Sequence, residues 1–282
     1  MSSRLRNAVS AALIALACLL VPFGALAAWA SYGLADTGRY VTAMAPLATD
    51  PAVREVVVET VGDGIVAETD AEPPLRPFVR DAVRSFTGTD AFRTAWDSGN
   101  RAVHDAVLRA VRDGGGGEVT VDLAPVAAEV KERLAADNVP FASRIPVEHT
   151  EVAVLPAAEL ERLRRGFRAL EVAGFWLPVS AAVLAVGGIA VAACRRRAVT
   201  AIALGTALGG AFLALAVALG RRLTLADLPD DVHRPAAGAV YDALTQTLRT
   251  VSWLLVAVGL AVALGTWLLT RRRQPSAAGT RP

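Results

Sequence analysis

Apolar positions gather in four long charge-free runs, at residues 8–30, 172–193, 198–219 and 251–270. Each is about the 20 residues that a helix needs to cross a hydrocarbon core. Aromatic rings sit at or near their ends, with Trp29 and Tyr32, then Phe175 and Trp176, then Trp253 and Trp267. Such rings favour the headgroup zone and mark where spans stop. Four transmembrane helices are predicted.

Between spans one and two, residues 31–171 read as a domain. Asp50-Pro51 is a helix start, an N-cap acceptor followed by proline in the first turn, with Val53, Val57 and Val61 as its stripe. Pro73, Pro74 and Pro77 break the chain, and a short segment runs from Leu75 to Phe86. Thr89-Asp90 opens the longest helix of this region, ending at Gly114–Gly117. Its apolar stripe is Phe92, Trp96, Val103, Val107 and Val111, and Asp97, Arg101, Asp105 and Arg109 alternate in sign on a solvated face.

After the glycines the period changes. Val119, Val121 and Leu123 alternate, which predicts a strand, and a second short one fits Glu151–Leu155. Pro125 begins a helix with Val126, Val130 and Leu134. Pro156 begins another, with Leu160, Leu163, Phe167 and Leu170, that continues into span two. The expected fold is therefore mainly α: four membrane helices and a small, mostly helical α+β extracytoplasmic domain between the first two. In residues 220–250, Val240, Leu244, Leu248 and Val251 form one face leading into span four. Unbroken helices through Glu171 and Thr250 would couple the domain mechanically to the spans.

Composition sharpens this division. Over 282 residues, 54% are hydrophobic and only 20% charged, outside the range of an ordinary soluble protein. Lys131 is the sole lysine, and Cys18 and Cys194 are the only cysteines, so a disulfide framework is excluded. Residues 1–7, 194–197 and 271–282 hold nine basic residues and no acidic ones. Residues 31–168 hold 16 basic and 22 acidic, and residues 220–249 hold four of each. Positive-inside bias then puts both termini and the 194–197 turn in the cytoplasm, with 31–171 and 220–250 outside a bacterial cell membrane. Span one also fits a cleaved signal peptide ending near Ala28-Trp29-Ala30, although its apolar run exceeds the usual h-region of about 7–15 residues. Ala15-Leu16-Ala17-Cys18 is a weak form of a lipoprotein acylation site.

Candidate chemistry is sparse. The spans carry no Asp, Glu, Lys, Arg or His, which counts against a coupled transporter. Trp96, Asn100 and His104 share one side of the long helix and are the candidate interaction residues; the simpler reading is a core Trp with hydrogen-bonded neighbours. His104, His149 and His233 are too scattered for a zinc site. Asp227, Asp230, Asp231 and His233 would draw a cation only if not spent on capping. Glu68, Asp70 and Glu72 read as solvated. The glycines at 114–117 lack a following Lys-Ser/Thr and read as a hinge. No catalytic, metal or cofactor residues are assigned, and the acidic domain argues against nucleic acid. Gly205 and Gly209 form a small-xxx-small pattern, as do Ala261 and Gly265; such patterns serve either oligomerisation or packing of spans within one chain.

Several short words, Asp36-Thr37-Gly38-Arg39-Tyr40-Val41, Ala45-Pro46-Leu47-Ala48, Asp50-Pro51-Ala52-Val53, Phe92 through Trp96 to His104, and Val240-Tyr241-Asp242-Ala243-Leu244, resemble a family of uncharacterised actinobacterial multi-pass integral membrane proteins. The resemblance implies one anchor and a C-terminal membrane bundle around an extracytoplasmic domain, and it supplies no activity or site residues. The expected function is non-catalytic, with the outer domain serving envelope interaction or sensing. Its partners would be the lipid bilayer and other membrane or envelope proteins. An accessory or pore-forming subunit of a transport system is the alternative; it would need a polar stripe, for which Ser180, Thr206, Ser252 and Thr266 are few. An outer-face hydrolase would need Asp and His side chains converging in a cleft.

Overall fold

The computed structural model describes residues 3–68, 75–113, 119–122, 124–136, 151–228 and 233–271. Gly114–Gly117, Asp70, Glu72, Pro73, Pro74, Leu123, His149, Asp230, Asp231, Arg272, Arg273 and Arg281 lie outside them. The chain divides into two compact units. Unit 1 comprises Met1–Tyr32, Ala169–Gly220 and Gln246–Pro282; unit 2 comprises Gly33–Arg168 and Arg221–Thr245.

Four helices are long and apolar enough to cross a membrane: α1 (Ser3–Trp29), α7 (Ala157–Val191), α8 (Arg195–Ala226) and α9 (His233–Arg271). Helices α8 and α9 contain the predicted spans 198–219 and 251–270, and α1 and α7 cover theirs up to the last one or two residues. Helix α1 carries on into a π-helical segment, Ala30–Leu34. Helices α7 and α9 run unbroken through Glu171 and Thr250. Within unit 1 the outward side chains are apolar, with Val183, Leu208, Leu215 and Leu264 more than half exposed, as suits a hydrocarbon surround.

Helix packing in unit 1 depends on missing side chains. A Cβ at Gly205 would collide with Cys18 Sγ of α1, and one at Gly209 would stand 3.2 Å from Pro22. Gly188 of α7 takes Ile14 of α1 in the same way, and Ser10 Oγ donates to the Gly188 carbonyl at 2.8 Å. On its other side α8 meets α9, where a Cβ at Gly210 would lie 2.7 Å from the Ser252 carbonyl and one at Gly259 would lie 2.5 Å from that of Ala203. Thr200 and Thr266 hydroxyls join the same two helices at 3.0 Å. The Gly205–Gly209 stripe is thus filled by α1 of its own chain, which supports the packing reading of that pattern. Gly265 faces open space.

Unit 2 is helical: α2 (Thr37–Met44), a 3-10 turn (Ala45–Thr49), α3 (Pro51–Glu68), α4 (Arg76–Thr87), α5 (Asp90–Asp113) and α6 (Ala124–Ala136), with the first or last turns of α7, α8 and α9. Two strands do form, β1 (Val119–Asp122) and β2 (Glu151–Leu155), as one antiparallel pair with a register shift after Val119. A pair of four and five residues covers too little surface to act as a layer. The expected α+β domain is therefore not supported.

Several expected faces also move. Asp50 Oδ1 caps α3 by accepting from Ala52 and Val53 amides at 2.9 and 3.2 Å. However, α3 buries Val53, Val58, Gly62 and Val66, leaving Val61 exposed. Gly62 sets that face, because Arg80 Cγ of α4 lies 3.0 Å from where its Cβ would be. Arg80 then reaches Asp63 at 2.7 Å, and Arg84 reaches Glu55 at 3.0 Å. On α7, Leu160 is buried but Leu163 is exposed, and Arg164 is only 5% exposed. Ala236, Val240 and Leu244 of α9 join Met44, Leu47, Val53 and Trp96 in one core.

Candidate functional site

The three candidate residues are brought to one place by α2, a helix that the periodicity did not reveal. Asp36 starts it: the backbone there is extended, and its carboxylate accepts the Arg39 amide at 2.8 Å. Helix α2 lies along α5. Trp96 Nε1 donates to the Met44 carbonyl at 3.0 Å, and Asn100 Nδ2 donates to the Trp96 carbonyl at 2.8 Å. His104 is held at both ring nitrogens, Nε2 being 2.9 Å from the Leu34 carbonyl and Nδ1 3.1 Å from Thr37 Oγ1. The Tyr40 ring stacks on the imidazole at 4.2 Å between centroids and 18° between planes. Burial pushes the Tyr40 hydroxyl above its ordinary titration range.

Sequence reasoning missed two members of this cluster. Thr37 Oγ1 also donates to Asp105 Oδ1 at 2.5 Å, so His104 and Asp105 meet on one hydroxyl. Asp105 belongs to this contact and not to a solvated face. The word Asp36-Thr37-Gly38 carried a detectable capping signal, whereas nothing in the α5 sequence marks Asp105 apart from Asp97.

Beside the cluster is a cleft of about 460 Å³ lined by Asp36, Thr37, Asp105, Leu108, Arg109 and Arg112, with Ala35 and Gly38. Arg112 donates to the Ala35 carbonyl at 3.3 Å and lies 5.6 Å from the Phe167 ring centre. Acidic and basic groups both border the cleft. A second cavity, of about 370 Å³, lies within unit 1 and is apolar except for Cys18 and Thr206. Among the described residues, no three His, Cys, Asp or Glu side chains gather as metal ligands. The proposed Asp227–His233 cation group includes Asp230 and Asp231, which lie outside those residues.

No protein family, curated protein or solved structure matches this chain. Trp96 and His104 place their ring nitrogens on the Met44 carbonyl, the Leu34 carbonyl and Thr37, and so fasten α2 and the segment before it to α5. Asn100 bonds back to the Trp96 carbonyl within α5.

Proposed function

We propose that this is a non-catalytic, multi-pass protein of a bacterial cell membrane, presenting unit 2 on the outer face for envelope interaction or sensing. The observation that carries the reading is the composition of unit 2. It draws on both inter-span segments, 33–168 and 221–245, which share the core of Met44, Leu47, Val53 and Ala236. In a four-span chain these segments fall on the same side of the membrane. The arginine distribution supports an assignment of that side to the outside and of both termini to the cytoplasm. Lipids are one partner; proteins of the membrane or envelope are the other. The likeness to the actinobacterial membrane family fits this layout.

The transport-subunit alternative gains less support, since the cavity in unit 1 has an apolar lining and Ser252 is fully buried, donating to the Leu248 carbonyl at 2.6 Å. The hydrolase reading does gain the convergence of His104 and Asp105 on Thr37. A nucleophile must offer its oxygen to a substrate, and this hydroxyl is engaged on both sides.

Cys194, exposed in the turn between α7 and α8, reports the topology directly. A membrane-impermeant maleimide should leave Cys194 unlabelled in intact cells and label it in inverted vesicles, with Cys18→Ala removing the other thiol. Labelling in intact cells would reverse the orientation and end the outer-face reading. Cross-linking in cells, followed by identification of co-purifying proteins, tests the interaction.

A further inference from the structure

We propose that the chain of groups Leu34–His104–Thr37–Asp105 is a proton-operated clasp, closed in acid and loosened in alkali, that sets how firmly α2 is held to α5. The inference rests on counting protons. Three contacts link the groups: Leu34 carbonyl to His104 Nε2 at 2.9 Å, His104 Nδ1 to Thr37 Oγ1 at 3.1 Å, and Thr37 Oγ1 to Asp105 Oδ1 at 2.5 Å. Both ends of the chain are acceptors, a carbonyl and a carboxylate. Three hydrogen bonds between acceptor ends require three protons. A neutral imidazole brings one and the threonine hydroxyl brings one, so one contact goes unmade. Imidazolium brings the third.

The imidazolium form makes all three bonds together, with the Asp105 carboxylate balancing its charge. The closed clasp therefore binds one proton more than its separated parts do with a neutral imidazole and an ionised carboxylate. Imidazole is the side chain whose charge ordinarily changes between pH 5 and 8, and that range sets the two pH values of the test.

The surroundings contain other charges. On α2 these are Asp36, Arg39 and Tyr40; on α5 they are Arg101, Arg109 and Arg112; Tyr32 belongs to the π-helical segment. Farther along α5, α6 sets Glu129 on Ser98 and α7 sets Arg164 on the Ala110 carbonyl. In α9, Asp242 is matched to Arg221 at 3.0 Å, beside Tyr241. His104 makes both of its ring-nitrogen contacts to α2 or the segment before it, so part of what holds the Leu34–Tyr40 stretch to α5 depends on protonation.

The clasp gives the sensing reading a stimulus, and rests on that reading only for its physiological use. The test uses the full chain in nanodiscs. Hydrogen exchange of the α2 amides, corrected for the intrinsic pH dependence, is compared at pH 5.5 and pH 8. Loss of one charge-assisted bond predicts about a tenfold fall in protection at pH 8. His104→Gln and Thr37→Val should both abolish the difference, and Thr37→Ser should preserve it. Nitrogen chemical shifts of the His104 ring should show two protonated nitrogens at pH 5.5 and one at pH 8. A wild-type profile without pH dependence, or an unchanged slope in Thr37→Val, would overturn the clasp. If His104→Gln does not fold, the two threonine variants decide. Labelling of Cys194 in intact cells would remove the outer-face reading and leave this result standing, so the two failures are distinguishable.

Discussion

Arg164 offers the sharpest test of how unit 2 is held together. It is a guanidinium at 5% exposure on a helix whose buried positions otherwise read as apolar. Its role follows from where α5 ends. The last four carbonyls of a helix have no intrahelical donor, and α5 ends at Asp113, so Ala110 is the first of those four. Arg164 Nη2 and Nε donate to that carbonyl at 2.7 and 3.1 Å, and Glu161 lies 3.5 Å from Nη1. A cation there also meets the negative end of the helix dipole. The adjoining core of Ala106, Val111, Val121 and Leu160 excludes water from the contact.

Arg164→Met separates two expectations. Replacing a buried ionic group by an apolar one of similar size is often neutral, because the desolvation cost disappears with the charge. Here the acceptor is a backbone carbonyl and stays behind, unsatisfied. A hydrogen bond to a charged group contributes about 1.5–3 kcal/mol, and an orphaned acceptor costs a similar amount. We therefore expect Arg164→Met to weaken the end of α5 by about 2 kcal/mol, roughly thirtyfold in local opening. Arg164→Lys, with one donor in place of a fork, should cost about half that. Hydrogen exchange of the last two turns of α5 in the full chain reads both numbers. If Arg164→Met matches the wild type within about twofold, the carbonyl finds water and the capping role is refuted.

Other outcomes follow from the same geometry. Burial raises the Tyr40 hydroxyl above its ordinary value of 10.0, so the folded state holds that proton more tightly than the unfolded chain. Its contribution to stability is complete below about pH 10 and is lost as pH rises through the folded value; an alkaline melt should show the loss, and Tyr40→Phe should flatten it. Gly205→Leu should disrupt unit 1, while Gly205→Ala should regain most of its thermal stability when combined with Cys18→Gly, because the collision is with Cys18 Sγ and Cβ. Failure of that rescue would mean that the two helices do not touch there. Since Gly188 and Gly205 are both seated against α1, the anchor reading of span one is favoured over a signal peptide, and intact mass of the purified protein should be that of the uncleaved chain.

The span positions and most helix starts were legible because they depend on local rules. A run without charges marks a span, and Asp50-Pro51, Thr89-Asp90, Pro125 and Pro156 each mark a helix entry. The even spacing of Val119 and Val121 marked β1, but spacing alone could not tell a two-stranded ladder from a sheet. What escaped depended on distant partners. Helix α2 is eight residues with glycine second, too short for a periodic signal. Val58 displaced Val61 on α3 because Gly62 admits α4. Asp105 read as a surface charge and Arg164 gave no signal, since the hydroxyl and carbonyl that they meet lie 68 and 54 residues away. The contribution of α9 to the core of unit 2 joins segments almost 200 residues apart, beyond any local pattern.

Polar groups in the two units serve different needs. In unit 1, Thr200 and Ser252 hydroxyls turn back on their own helices, to Arg196 and Leu248, Ser10 and the Thr200–Thr266 pair reach across helices, and the closest helix contacts come at glycines. Unit 2 uses charge and hydroxyl groups at helix ends, with Asp36, Asp50, Thr89 and Arg164 each meeting backbone that a helix leaves open. Among the described residues, every buried side-chain nitrogen or oxygen has a partner. Satisfied groups of this kind are fixed by folding and answer to little else. The His104 cluster differs, because its contacts outnumber the protons that its members bring when the imidazole is neutral. Among the described residues, the proposed clasp is where the number of hydrogen bonds between α2 and α5 would follow pH.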